Sequence, residues 1–257
     1  MLTSRRVRVN GAIEKIGKRE VKPGDVIDLA SRDTPSQLPG ALQLLYEDDD
    51  LLVVVKASGL LTVSSIGEKE ITAQAYLNHY LKANRSRDRI QVVHRLDRDS
   101  SGVLVFAKKL EIREALKARF AEHDIERVYV AICEGKLDPP KGTIRSHVKE
   151  DATYTVRSVP ADTPGAKLAV THYRTTASGR RYSMVEVTLE TGKKNQIRVH
   201  LSEKGNPIIG DDRYESCTNP IKRLGLHAKL LGFTHPTTGK KLVFTAPVPE
   251  SFTKLAL

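Results

Sequence analysis

Short apolar or alternating runs recur along most of the chain, at Leu51 to Val55, Val103 to Ala107, Val128 to Cys133, Lys167 to Tyr173, Ser183 to Leu189, Leu226 to Phe233 and Lys241 to Thr245. Each has the length and period of a β-strand, and they follow one another with few helices between them. Helical spacing is confined to Ala73, Leu77 and Leu81, to Ile112, Leu116 and Phe120, and more briefly to Ile197 and Leu201. A regular βαβ alternation is missing, so the pattern predicts an α+β fold rather than a doubly wound parallel sheet.

The chain also divides by composition. VRVNGAIEKIGKREVKPGDVIDL, residues 7 to 29, alternates apolar and polar positions, and the dipeptides Asn10-Gly11 and Pro23-Gly24 punctuate it as turns. It reads as short strands in a small N-terminal module, residues 1–30. SRDTPSQLPG, residues 31–40, has the character of a linker, with a boundary near Leu38, and residues 41–257 form the main domain.

Charge narrows the function. The sequence has 42 Lys plus Arg against 31 Asp plus Glu, a net charge of +11, and such a surface attracts polyanions. Cys133 and Cys217 are the two cysteines, far apart and in no metal-ligand spacing, which fits a reducing cytoplasm. No run approaches the roughly 18 apolar residues of a membrane span, and Met1 to Asn10 lacks the apolar core of a signal peptide. The expectation is a soluble, unprocessed cytoplasmic protein.

Several motifs drop out on inspection. GFTHPTTGK, residues 232 to 240, is superficially like a phosphate loop, but its glycines are too far apart and Lys241 stands where a hydroxyl is needed for magnesium. GxGxxG, GxSxG, HExxH and calcium-loop patterns are absent. The acidic run Glu47 to Asp50 reads as a solvated turn rather than a metal site.

The stretch QVVHRLDRDSSGVLVFAKK, residues 91 to 109, is the most unusual. Asp97 lies between Arg95 and Arg98, and Ser100, Ser101 and Gly102 turn the chain into an apolar strand. Neighbouring cations favour the ionised form of a carboxylate, which can then act as nucleophile or base. On spacing alone, an Asp in a surface salt-bridge cluster accounts for the same residues.

HRLDRDSSGVLVFAKK resembles the HRLDxxTSGxxxxAK signature of RluA-like RNA pseudouridine synthases, with Ser100 where the family usually has Thr. The resemblance continues in order over roughly residues 41 to 250. LYEDDDLLVVVKASGLLTV resembles the opening strand and Lys-Pro-x-Gly turn, keeping Lys56 and Gly59 but with Ala57 for the Pro. ERVYVAICEG resembles the segment that supplies an active-site Tyr, here Tyr129. VEVTLETGKKNQIRVHLSEKGNPIIGDDRY resembles the strand, Thr-Gly turn, short helix and Gly-Asp loop that carry a basic partner of the catalytic Asp, here Arg198. Lys193 replaces a customary Arg and Asn195 a customary His, and Asn195 is expected to cap the helix that Gly205 ends. RLGLHAKLLGFTHPTTGKKLVFTAPVP resembles the closing strands, and residues 7 to 29 resemble the strand half of the alpha-L RNA-binding module.

The resemblance implies a mixed, mostly antiparallel sheet with flanking helices and isomerisation of uridine in RNA without metal or cofactor. Asp97 would act on the ribose, as nucleophile or base. Arg198 would partner Asp97, and Tyr129 would pack on the base or assist proton transfer. Arg95 would fill the gap left by a flipped nucleotide. Arg95, Arg98, Lys56, Lys193 and Lys194 become candidate RNA contacts, with the clusters at Arg85, Arg87 and Arg89 and at Arg180 and Arg181 in support. The implied partner is structured ribosomal or transfer RNA met by a monomer, with no membrane and no small-molecule cofactor. Two rivals use the same residues: a non-catalytic RNA-binding or ribosome-assembly protein, and a glycosidase-like hydrolase, for which Asp99 is the one nearby second carboxylate.

Overall fold

The computed structural model describes residues 7–9, 12–13, 20–22, 24–29, 38–64 and 71–256. The expected Asn10-Gly11 turn, Pro23 and the linker residues 31–37 lie outside them. The N-terminal segment contributes β1 (Val7–Val9), β2 (Ala12–Ile13) and β3 (Ile27–Leu29), an antiparallel sheet in the order β2-β1-β3.

Eleven strands form the main sheet. They are β4 (Leu42–Glu47), β5 (Leu51–Lys56), β6 (Gln91–Val92), β7 (Ser101–Ala107), β8 (Ile125–Glu134), β9 (Lys141–Glu150), β10 (Val156–Val159), β11 (Lys167–Ser178), β12 (Tyr182–Leu189), β13 (Leu226–Thr234) and β14 (Lys241–Thr245). The order is β10-β9-β11-β12-β8-β13-β7-β5-β4, with β14 on β13 and β6 on β7. Every described pairing is antiparallel except β13 with β7. The fold is thus the mixed, mostly antiparallel α+β architecture that the resemblance implies.

Helices cover both faces where the sheet is most apolar. On one face α1 (Ala73–Ala83) sets Ala73, Leu77 and Leu81 against Leu52, Val54, Leu104 and Phe106. On the other α2 (Leu110–Ala121) sets Ile112 and Leu116 against Leu51, Val53, Val103 and Val105. Strands covered on both sides have no solvent face to make polar, and so β5 and β7 read as unbroken apolar runs. Further along, α3 (Gln196–Glu203) packs Ile197 and Leu201 on β8 and β12, while α4 (Glu250–Ala256) inserts Phe252 against Val130 and Ile132.

The parallel junction joins the halves of the sheet, and its backbones meet at Gly102 opposite Ala228. Gly102 has φ +120°, and a Cβ there would lie 2.2 Å from the Ala228 carbonyl oxygen. Only glycine fits this approach. The acidic run is more than a solvated turn: Asp48 Oδ1 accepts from the amides of Asp50 and Leu51 at 2.8 and 2.7 Å, and Lys109 pairs with Asp50 at 2.6 Å. The rejected phosphate-loop string supplies its partners, as His235 meets Asp48 at 2.9 Å and Thr237 donates to Asp50 at 2.5 Å.

Candidate active site

Residues 93 to 100 connect β6 to β7, and the backbone of this loop is held along its length. Val93 and Leu96 are buried beneath it. Thr62 Oγ1 donates to the Leu96 carbonyl at 2.7 Å and accepts from its amide at 3.2 Å. The Gly59 amide and Lys56 Nζ donate to the Arg98 carbonyl at 2.9 and 3.0 Å, and Ser58 Oγ to that of Asp99 at 2.7 Å. The Ser100 amide closes the turn on the Asp97 carbonyl at 3.2 Å. Asp97 therefore projects from a fixed backbone.

Lys56 corrects an expectation. Its side chain is fully buried, and Nζ donates to the carbonyls of Ala57, Leu60 and Arg98, which uses all its protons. It braces the loop from inside and presents nothing to RNA. Burial pushes its pKa down to about 8, against the opposing pull of Asp99 and Asp97.

Arg198, from the first turn of α3, reaches across to this loop. Nε and Nη2 each donate to Asp211 at 2.6 Å, while Nη1 donates to Asp97 Oδ2 and to Asn195 Oδ1 at 3.2 Å. Its guanidinium lies 4.9 Å from the Tyr214 ring centre. Burial opposes the charge, but the bonds to Asp211 and the charges of Asp211 and Asp97 outweigh it and raise the pKa above the ordinary value. Arg198 does partner Asp97, yet Asp211 is its main anchor. The other Asp97 oxygen, Oδ1, has no hydrogen-bond partner among the described residues, and Asp97 lines the cavity.

Asn195 occupies the N-cap position of α3, but in a left-handed conformation (φ 55°), and its side chain does not cap the helix. It donates instead to Tyr214 Oη at 3.1 Å and accepts from Arg198. Gly205, φ +83°, follows the helix as expected.

A cavity of about 420 Å³ opens above Asp97, and Arg95, Arg127, Tyr129, Lys193 and Arg198 help to line it. Tyr129 is partly buried on β8, and burial raises its pKa, with Arg127 opposing, so it stands there as a neutral phenol. Arg95 is exposed at the rim with no ion pair among the described residues. Lys193 is half-buried in the wall; Lys194, also lining it, pairs with Glu150 and lies over the Tyr154 ring. Arg98 is exposed outside the cavity, 4.0 Å from Asp99. No cluster of three or more potential metal ligands occurs among the described residues, and no helix among them is long and apolar enough to cross a membrane.

Residues 50–203, more than half of the sequence, match the RNA pseudouridylate synthase family. The chain belongs to that family. Among its relatives, an uncharacterised RNA pseudouridine synthase of Bacillus subtilis (YhcT) is 36% identical over 241 residues, covering 91% of this chain and 79% of the relative. The ribosomal large subunit pseudouridine synthase D of Haemophilus influenzae is 31% identical over 269 residues, covering 97% and 82%. In structure the fold is similar to human RNA pseudouridylate synthase domain containing 4, with TM-score 0.68, 22% identity and coverage of 82% of this chain and 90% of that one. The protein is thus an RNA pseudouridine synthase, an isomerase acting on RNA.

Three residues in or beside this candidate site were not nominated by the sequence. Asp211 and Tyr214 lie within the quoted GDDRY string but look like ordinary loop residues there. Arg127 stands two positions before Tyr129 on β8, and strand parity, which places i and i+2 on one face, was the signal that could have found it.

Proposed function

We propose that the synthase converts uridine to pseudouridine in large-subunit ribosomal RNA, with the target nucleotide flipped into the cavity and Asp97 as the catalytic carboxylate. The observation that carries this is the division of labour on Asp97: Oδ2 is oriented by Arg198, and Oδ1 is left to meet the ribose. The reaction breaks the bond from C1′ to N1, turns the uracil and rejoins it through C5, while the proton lost from C5 is balanced by one gained at N1. Asp97 serves it as nucleophile at C1′ or as base at the adjacent ribose carbon. Flipping costs a few kcal/mol of unstacking, and Arg95, exposed at the rim, occupies the vacated space in this reading. Tyr129 packs on the base as a neutral phenol and can exchange a proton with its ring. Lys193, Lys194 and Arg98 supply phosphate contacts around the mouth. The choice of ribosomal RNA is supported by the names of the relatives.

The proposal includes the division at residues 31–40 between a small N-terminal module and a catalytic domain, and a monomer working in the cytoplasm. The test is to map pseudouridine in large-subunit RNA from cells carrying wild type or Asp97→Asn in place of the gene. Sites present with wild type and missing with the variant are expected, with RNA affinity in vitro within a few fold. Unchanged sites in the variant overturn the role of Asp97, and release of free uracil by the purified protein would reinstate the hydrolase.

A further inference from the structure

Two arginines are held in the walls of this cavity, and their surroundings differ. Arg198 meets two carboxylates. Arg127, 6% exposed, meets none among the described residues. Its Nη2 makes two long bonds, 3.4 and 3.3 Å, to the carbonyls of Leu189 and Glu190, and its buried Nε has no acceptor among the described residues. The Phe120 ring lies 5.5 Å from its guanidinium. The seat is shaped for it, since a Cβ on Gly192 would come within 2.5 Å of Nη1. A buried cation without a counter-ion, with an unsatisfied donor, is costly in the free protein and is relieved when an anion arrives.

We propose that Arg127 binds a phosphate oxygen of the RNA strand at the flipped nucleotide. This rests on the RNA-modifying reading above and names a contact within it. A uracil carbonyl would offer the guanidinium an acceptor but would leave the charge unbalanced. The cavity's own lining carboxylate, Asp97, is already engaged by Arg198. A phosphodiester supplies both the acceptor and the charge, in a geometry that suits the guanidinium fork. Arg127 and Tyr129 share a face of β8, so the strand sets phosphate and base contacts two residues apart.

The experiment measures binding of an in vitro transcript of large-subunit ribosomal RNA against salt, for wild type, Arg127→Met and Arg127→Lys, together with thermal unfolding of each free protein. Arg127→Met should lose about tenfold or more in affinity, and its slope of log affinity on log salt should flatten by roughly 0.7 to 0.9, the signature of one lost phosphate contact. Arg127→Lys should restore the slope. Free Arg127→Met should unfold at the same or a higher temperature, because an uncompensated buried charge has been removed. Lost affinity with an unchanged salt slope would assign the contact to a neutral base atom and overturn the proposal. A lower unfolding temperature with unchanged RNA affinity would make Arg127 structural and overturn it equally. The slope is read on binding alone, so failure of wild type to form pseudouridine in this transcript counts against the functional reading and not against the phosphate contact.

Discussion

Arg198 bridges two carboxylates, and replacing each in turn should separate stability from chemistry. Asp211 is 1% exposed and receives two bonds of 2.6 Å from Arg198, which is itself 15% exposed. Asp211→Asn keeps one acceptor but turns an amide NH2 toward guanidinium donors and removes the counter-charge. Removing one partner of a buried pair costs about 3–5 kcal/mol. Asp97 is 29% exposed and takes a single bond of 3.2 Å, so Asp97→Asn should cost at most about 1 kcal/mol. Against a total stability of about 5–15 kcal/mol the first loss is large. The assay is urea unfolding at pH 7 followed by far-UV circular dichroism, since the chain has no Trp to report by fluorescence. With a urea dependence of about 3 kcal/mol per molar, Asp211→Asn should lower the midpoint by about 1 M or more, and Asp97→Asn by a few tenths at most. Turnover should run the other way, lost in Asp97→Asn and retained in part in Asp211→Asn. Equal destabilisation by both would refute the reasoning, because Asp97 would then be a structural partner of Arg198.

Glycine substitutions should differ by position: Gly102→Ala, whose Cβ would strike the Ala228 backbone, should cost about 3 kcal/mol or more or yield no folded protein, while Gly59→Ala, with φ +87° but open space around it, should cost about 1 kcal/mol in the same unfolding assay. Acid should destabilise the fold through histidines kept neutral: burial, aided by Arg127, pushes His94 to about 3, and burial, opposed by the Ala246 carbonyl, pushes His227 to about 4. The unfolded chain then binds more protons below about pH 6.5, so stability should fall between there and pH 4 by up to about 1.4 kcal/mol per pH unit for each, and the fall should be shallower in His227→Gln. Lys56 gives the alkaline counterpart: its folded pKa of about 8 lies below the unfolded value, the unfolded state binds more protons between about pH 8 and 10.5, and wild-type stability should gain a rising contribution there that Lys56→Met lacks. At pH 7 the same variant should lose about 3 kcal/mol, because the carbonyls of Ala57, Leu60 and Arg98 lose their donor.

What the sequence displays plainly is burial with a period. Leu51 to Val55 and Val103 to Ala107 announce β5 and β7 because helices cover both faces, and the spacing of Ala73, Leu77 and Leu81 announces α1 because its buried stripe meets one of them. The strands that escaped have little to announce. In β9 only Val148 is buried among ten residues, so KGTIRSHVKE carries no clear hydrophobic alternation, and β4, β10 and α4 are similarly short or half-exposed. The parallel pairing of β7 with β13 was not legible either, since it joins segments 126 residues apart at Ser101 and His227. Within the site, the motifs nominated Asp97, Tyr129 and Arg198, and the fold brings these three to one cavity although 101 residues separate Asp97 from Arg198.

The chemistry of the cations lies in their partners, which one-dimensional spacing does not carry. Lys56, Arg127 and Arg198 are all charged residues on or beside apolar segments, and nothing in their flanks ranks them. Lys56 donates to three carbonyls and is spent on holding the loop; Arg198 is divided between the buried carboxylate of Asp211 and that of Asp97, which lines the cavity. Arg127 keeps a buried donor with no acceptor among the described residues. A protein of modest net stability tolerates such an orphan only where something offsets its cost. Of the three, the least satisfied in the free protein is therefore the one with most to gain when RNA fills the cavity.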